Sequence, residues 1–213
     1  MTRRRLAALI GTPVEHSLSP VIHQAAFDAA GTDWTYAAFD VAVGRAVDAI
    51  AAMRVLGIAG LSVTMPHKHD VAAAVDRLDP AAAALGSVNT VYWNGDELVG
   101  SSTDGAGFIA ALVDDGIDVS GAHVAVLGAG GAARSVIDAL GRSGAASIAV
   151  INRTPDRAES AAALASMASV GRLDDIERAE VVVNASSVGM GVDPASATTD
   201  DLPCDPALLD PSQ

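Results

Sequence analysis

Cysteine, aromatic residues and positive charge are all scarce in this 213-residue chain. A single cysteine, Cys204, excludes an internal disulfide and a Cys-x-x-Cys metal knuckle. Nothing in that usage points to an oxidising compartment, so the cytoplasm is the expected location. Thirteen Lys and Arg face 26 Asp and Glu, a formal net charge of −13. General nucleic-acid binding would need a basic stripe to neutralise phosphates, so it is excluded as an expectation, and any anionic ligand needs locally placed cations. Long hydrophobic runs are missing too. The opening MTRRRLAALIG has a basic flank, but Gly11, Thr12 and Pro13 cut its apolar stretch short, which reads as a first strand. No run approaches the roughly 18 apolar residues of a membrane-spanning helix, so no membrane association is expected.

Half of the residues are apolar, and alanine and glycine are abundant. That composition suits close-packed helices over a parallel sheet, an α/β fold. From Leu6 to about Thr103, short apolar runs alternate with helical ones. Strands are expected at Leu6 to Ile10, Trp34 to Phe39, Ile58 to Val63 and Val88 to Trp93. Helices are expected at Pro20 to Ala30, Ala46 to Leu56, Val71 to Asp76 and Ala81 to Leu85. Asp104 to Asp115 carries Phe108, Ile109, Leu112 and Val113 at helical spacing and reads as a connecting helix that Gly116 ends. After Gly121, HVAVLGAGGAARSVIDAL, SIAVINRTPDRAESAAALA and EVVVNASSVGM give strand-loop-helix twice and then a third strand, a doubly wound Rossmann-like pattern. The division expected is therefore 1–103, a connecting helix and linker over 104–120, and 121–213. From about Gly191 the chain is rich in Asp, Pro and Thr and offers no further strand, which would leave a three-strand half-sheet incomplete.

Gly128, Ala129, Gly130, Gly131 and Ala132 follow the apolar strand Val124 to Leu127 and open a helix, the context that a dinucleotide fingerprint requires. Gly128 permits the tight turn, Gly130 lets backbone approach a pyrophosphate, and Ala133 occupies the third fingerprint position. The helix N-terminus adds unpaired N–H donors and a positive dipole end. The next strand ends at Ile151, where an NAD-specific protein places a carboxylate on the ribose; here Asn152, Arg153 and Thr154 follow instead. Arg153 and Arg157, with the Thr154 hydroxyl, suit a 2′-phosphate, because guanidinium matches phosphate geometry. NADP is the expected cofactor, although Arg157 alone reads as a solvated helix charge.

In GTPVEHSLSP, Ser17 and Ser19 precede a helical pattern. Capping is their plain reading, with Ser19 before Pro20 as the cap, yet hydroxyls can also bind a carboxylate. In SVTMPHK, Lys68 lies just past a strand's C-terminal end, where ligands of α/β sheets bind. On its own it reads as a surface lysine. Asp104 reads as a cap for the helix that begins near Gly105. His67 and His69 are two apart with no carboxylate cluster to complete a site, so no metal is expected.

GTPVEHSLSP, SVTMPHK, GSVNT, STDGAGF, GAGGAAR, NRTPDRA and NASSVGM stand in the order found in shikimate dehydrogenases, and the chain resembles that family from Ile10 to Met190. The resemblance implies an N-terminal α/β substrate domain, a Rossmann-like NADP domain and an active site in the cleft between them. It implies NADPH-dependent reduction of 3-dehydroshikimate to shikimate in aromatic amino acid (chorismate) biosynthesis. By the same resemblance Ser17 and Ser19 contact the substrate carboxylate. Thr64, Asn89, Lys68 and Asp104 surround its ring hydroxyls, with Lys68 and Asp104 the catalytic pair. Gly128 to Ala132 bind the pyrophosphate, Asn152 to Arg157 the 2′-phosphate end, and His16 has a structural place in its motif. A lysine suits the chemistry, since hydride delivery to a ketone builds alkoxide charge that an ammonium stabilises and protonates.

The chain departs from the family at Ser62 and Ser102, where asparagine is usual, so hydrogen bonding near Thr64 and Asp104 differs. It also ends before the family's last strand and helices, and Gln213 does not replace a substrate-contacting glutamine found there. The expected partner is a small molecule, shikimate or 3-dehydroshikimate, with a homodimer left open. The alternatives are a quinate/shikimate dehydrogenase, which Ser17-Leu18-Ser19 disfavours because quinate users tend to carry threonine at the second serine, and a non-catalytic NADP-binding fragment.

Overall fold

The computed structural model describes residues 5–189, 198 and 202–209. The chain divides into two compact units, residues 1–103 and 104–213.

In the first unit, β1 (Arg5–Gly11), β2 (Trp34–Asp40) and β3 (Gly60–Val63) are parallel, with β1 in the middle. Beyond β3 the direction reverses. β5 (Thr90–Asn94) runs antiparallel to both β3 and β6 (Glu97–Ser101), and the short β4 (Arg77–Leu78) closes the order β2-β1-β3-β5-β6-β4. Strand-helix-strand units alone do not describe this half. A hairpin is inserted, and it turns at Gly95 and Asp96 because Gly95 adopts φ +63°, which β-branched or bulky residues avoid.

Helices α1 (Ser19–Ala29), α2 (Ala46–Leu56), α3 (Lys68–Ala72) and α4 (Pro80–Leu85) connect the strands. Asp79 caps α4 by accepting from the Ala82 N–H at 2.7 Å. α1 corrects an expectation: its N-cap is Leu18, not Ser19, and Ser19 lies inside the first turn. The Ser17 hydroxyl accepts from the Ser19 N–H at 3.2 Å, so the polar turn closes one residue earlier than a Ser19 cap would place it. α3 starts at Lys68, three residues ahead of the expected Val71, and residues 73–76 turn towards β4. One core here joins Ile10, Ile50, Met53, Leu61, Val63, Val71, Val88, Val91 and Leu98. Arg54 on α2 pairs through one guanidinium nitrogen with both oxygens of Asp76, and Asp76 also accepts from the Leu98 N–H at 2.7 Å.

In the second unit, α5 (Asp104–Asp114) precedes a parallel sheet of order β10-β7-β8-β9. Its strands are β7 (His123–Leu127), β8 (Ser147–Ile151), β9 (Ala168–Val170) and β10 (Val181–Asn184). There are thus four strands rather than three, because β9 adds an edge strand too short to show periodicity. β7 is central and reads Val-Ala-Val-Leu without a polar break, as a strand covered on both faces should. α6 (Gly131–Arg142) buries Ile137 and Leu140 completely, worth roughly 1.5–3 kcal/mol each. Phe108, Ile109 and Leu112 of α5 pack on the same core as α6 and α7 (Pro155–Ala162). Asp104 is the first residue of α5 rather than a residue ahead of it. A Cβ at Gly105 would lie 2.3 Å from the Ser135 carbonyl oxygen, so α5 and α6 meet at a distance only glycine permits.

Gln213 and most of the tail from Gly191 lie outside the described residues, the exceptions being 198 and 202–209. No helix among the described residues is long and apolar enough to cross a membrane.

Candidate active site

Every residue singled out in the first unit lies at one end of its sheet. Ser17 and Ser19 follow the C-terminal end of β1, and Thr64 and Lys68 follow that of β3. Asn89 precedes the antiparallel β5, which brings it to the same end, where its carbonyl accepts from the Val63 N–H at 2.7 Å. Thr64 is tied in turn to β1, its N–H donating to the Ile10 carbonyl at 2.9 Å. All five side chains are half-buried, so each is held yet reachable.

Asn89 also fixes a residue that the sequence did not single out. Its Nδ2 donates to Thr103 Oγ1 at 3.0 Å, and its Oδ1 accepts from the Thr103 N–H at 3.0 Å and from Thr90 Oγ1 at 3.0 Å. Thr103 directly precedes Asp104, so this clamp holds the backbone from which α5 departs. Ser62, one of the two departures from the family pattern, accepts a hydrogen bond from the Tyr36 hydroxyl at 2.7 Å. Ser102 is buried to the edge of its strand's end. Among the described residues no group of three His, Cys, Asp or Glu could hold a metal ion.

In the second unit, a cleft of about 420 Å³ opens at the C-terminal ends of all four strands. Gly128 lies after β7, Asn152 and Arg153 after β8, Arg172 and Leu173 after β9, and Ser186 to Val188 after β10. The strand order places β10 and β8 on opposite sides of β7, the switch point where open α/β sheets bind ligands. Gly128 has φ +119°, and a Cβ there would lie 2.8 Å from the Ala185 carbonyl oxygen. Only glycine fits that turn. Cβ atoms on Gly130 and Gly131 would meet no protein atom within 4 Å, so the backbone at the start of α6 is bare on that side. Gly130 is the N-cap of α6, no side chain caps it, and no acidic residue occupies the first turn. That combination leaves an N-terminus electrostatically suited to phosphate. The residues therefore fit a dinucleotide.

Of the remaining residues, Ala129 and Ala132 belong to this glycine-rich turn and the first turn of α6. Thr154 is the N-cap of α7 without using its hydroxyl for capping, and the Asn152 side chain donates to the Thr154 carbonyl at 3.0 Å. Arg153 and Arg157 are exposed, but only Arg153 lines the cleft. Arg172 lines it as well, its N–H held by the Asp175 carboxylate at 2.7 Å. The sequence reading missed Arg172 because the strand that delivers it, β9, was not recognised.

Two families match the chain. The shikimate dehydrogenase substrate binding domain covers residues 9–91, and shikimate / quinate 5-dehydrogenase covers residues 111–192. A shikimate dehydrogenase (NADP(+)) of Moorella thermoacetica is 43% identical over 196 residues, covering 87% of this chain and 66% of its own length. One of Geobacter metallireducens is 41% identical over 202 residues, covering 89% of this chain and 71% of its own. The chain thus spans about two thirds of the length of these curated relatives. Among solved structures, shikimate 5-dehydrogenase of Thermus thermophilus in complex with NADP(H) and shikimate superposes with a TM-score of 0.84 at 34% identity, over 96% of this chain and 75% of that one. The chain belongs to the shikimate dehydrogenase family of NADP-dependent oxidoreductases that act on a CH–OH group.

Proposed function

We propose that this chain catalyses the reversible NADPH-dependent reduction of 3-dehydroshikimate to shikimate, with residues 1–103 binding the substrate and the second unit binding NADP. The observation that carries the reading is the convergence of Ser17, Ser19, Thr64, Lys68 and Asn89 on one end of the first sheet. Paired serine hydroxyls there suit a carboxylate, and Thr64 and Asn89 supply donors and acceptors for ring hydroxyls. When bound, NADPH supplies the hydride. Lys68 donates a proton to the oxygen that gains negative charge as the ketone is reduced, and in the reverse direction its neutral amine takes that proton back. Asp104 is the second catalytic group, a carboxylate at the start of α5 whose placement depends on the glycine contact between α5 and α6.

Gly128 to Ala132 hold the pyrophosphate against the start of α6. Asn152, Arg153, Thr154 and Arg157 hold the adenosine end, with Arg153 placed best to meet a 2′-phosphate. A homodimer is part of this reading, and sedimentation would show it as twice the chain mass. The lone, partly buried Cys204 is consistent with a cytoplasmic setting.

The test is shikimate-dependent reduction of NADP⁺ by the purified chain, run beside NAD⁺ and beside quinate. Turnover with shikimate and NADP⁺ above that with quinate or NAD⁺ supports the reading. NADP⁺ binding without turnover would replace it with a cofactor-binding module.

A further inference from the structure

The imidazole of His67, immediately before Lys68, is completely buried. Its Nε2 lies 2.7 Å from the carbonyl oxygen of Val41, in the segment that follows β2. A carbonyl only accepts, so Nε2 carries the hydrogen and the ring is held in one tautomer. Nδ1 is then a bare acceptor, and it is the one buried side-chain polar atom among the described residues without a hydrogen-bond partner. A buried orphan nitrogen is unfavourable, and an apolar side chain of similar volume would avoid it. What the ring supplies is the donor on its other nitrogen.

That nitrogen joins a network around the ends of three strands. The Val41 N–H donates to the Gly11 carbonyl at 2.9 Å, and the Thr12 N–H donates to the Met65 carbonyl at 3.0 Å. The His67 N–H donates to the Thr64 carbonyl at 3.1 Å, and the His67 carbonyl accepts from Val71 at 2.9 Å, which starts α3. The Lys68 carbonyl accepts from the Val88 N–H at 2.9 Å. Lys68 is thus pinned towards β5 through its own backbone and towards β2 through its neighbour's ring. The ring's donor thus adds a tie towards β2 to those that the turn from Thr64 to Lys68 makes to β1 and β5.

We propose that His67 is a positioning residue for Lys68, acting through the Nε2–H bond to Val41. The inference rests on the proposed role of Lys68 as proton donor. The experiment compares His67→Gln, whose amide nitrogen can reach where Nε2 stands, with His67→Leu and with His67→Asn, whose amide reaches only where Nδ1 stands. Expected are a kcat for the Gln variant close to the unsubstituted chain and a kcat for the Leu and Asn variants lower by about tenfold to a hundredfold, as misplacement of a reacting group produces. KM for NADP⁺ should be unchanged in all three. Equal damage in the Gln and Leu variants, or no damage in any, would overturn the proposal. If the unsubstituted chain itself does not turn over, the functional reading fails instead, and two readouts that need no turnover decide the inference. Nitrogen NMR of the ring should show the Nε2–H tautomer, and calorimetry should show shikimate affinity reduced by the Leu and retained by the Gln substitution. An Nδ1–H tautomer, or equal affinities, would overturn it.

Discussion

The Tyr36 hydroxyl donates to Ser62 Oγ at 2.7 Å, linking β2 to β3 across the face of β1. The Tyr36 ring stacks on His23, with centroids 4.3 Å apart. Tyr36→Phe should cost about 0.5–1.5 kcal/mol, the net worth of an ordinary hydrogen bond, read by urea unfolding. Burial raises the Tyr36 pKa above its ordinary value of 10.0. The fold thus favours the protonated phenol, and this contribution is fully present below about pH 10 and lost as pH rises through the raised value. The alkaline loss of stability should be shallower in the Phe variant. Ser62→Asn, which restores the residue the family resemblance implies, should be destabilising by about 1–3 kcal/mol through crowding against the phenol. It should be better tolerated together with Tyr36→Phe, which removes the hydroxyl it meets; additive effects would show that the two residues do not share this space.

Two neighbouring glycines separate folding from cofactor binding. Gly128→Ala puts a Cβ 2.8 Å from backbone at φ +119°, so both thermal stability and NADP⁺ affinity should fall. Gly130→Ala meets no protein atom within 4 Å, so its melting temperature should stay near that of the unsubstituted chain. Its NADP⁺ affinity should nonetheless drop by about tenfold or more, because the methyl occupies the pyrophosphate's approach. Unchanged NADP⁺ affinity in Gly130→Ala by calorimetry would place the pyrophosphate elsewhere.

Arg153 and Arg172 reach the same cleft from the ends of β8 and β9. Replacing either with glutamine should weaken NADP⁺ binding about tenfold, the scale of a partly solvated charge-assisted bond, and should affect NAD⁺ far less. Equal losses for the two dinucleotides would show that neither guanidinium meets the 2′-phosphate.

The glycine-rich turn and the arginine after β8 were legible in the sequence because they follow apolar strands within two residues, whereas Lys68 on its own reads as a surface lysine and its role is what the resemblance implies. The hairpin of β5 and β6 has a local signal, Asn94-Gly95-Asp96 between two apolar runs. β9 carried almost none. Its three residues, Ala168, Ser169 and Val170, are too few to establish alternation, and parallel pairing with β8 makes it a strand. Arg172 was missed with it. The Asn89–Thr103 clamp and the Tyr36–Ser62 bond join residues 14 and 26 positions apart, and no local pattern encodes such pairs.

The central claim is that Lys68 carries the proton of the reaction, and the direct measurement is the turnover of Lys68→Ala with shikimate and NADP⁺, with calorimetric affinity for both in the same protein. The expected result is a kcat reduced by about 10²–10⁴-fold, the usual worth of a positioned acid or base, with NADP⁺ affinity unchanged. A kcat within a few-fold of the unsubstituted chain would contradict the account and move the proton to another group.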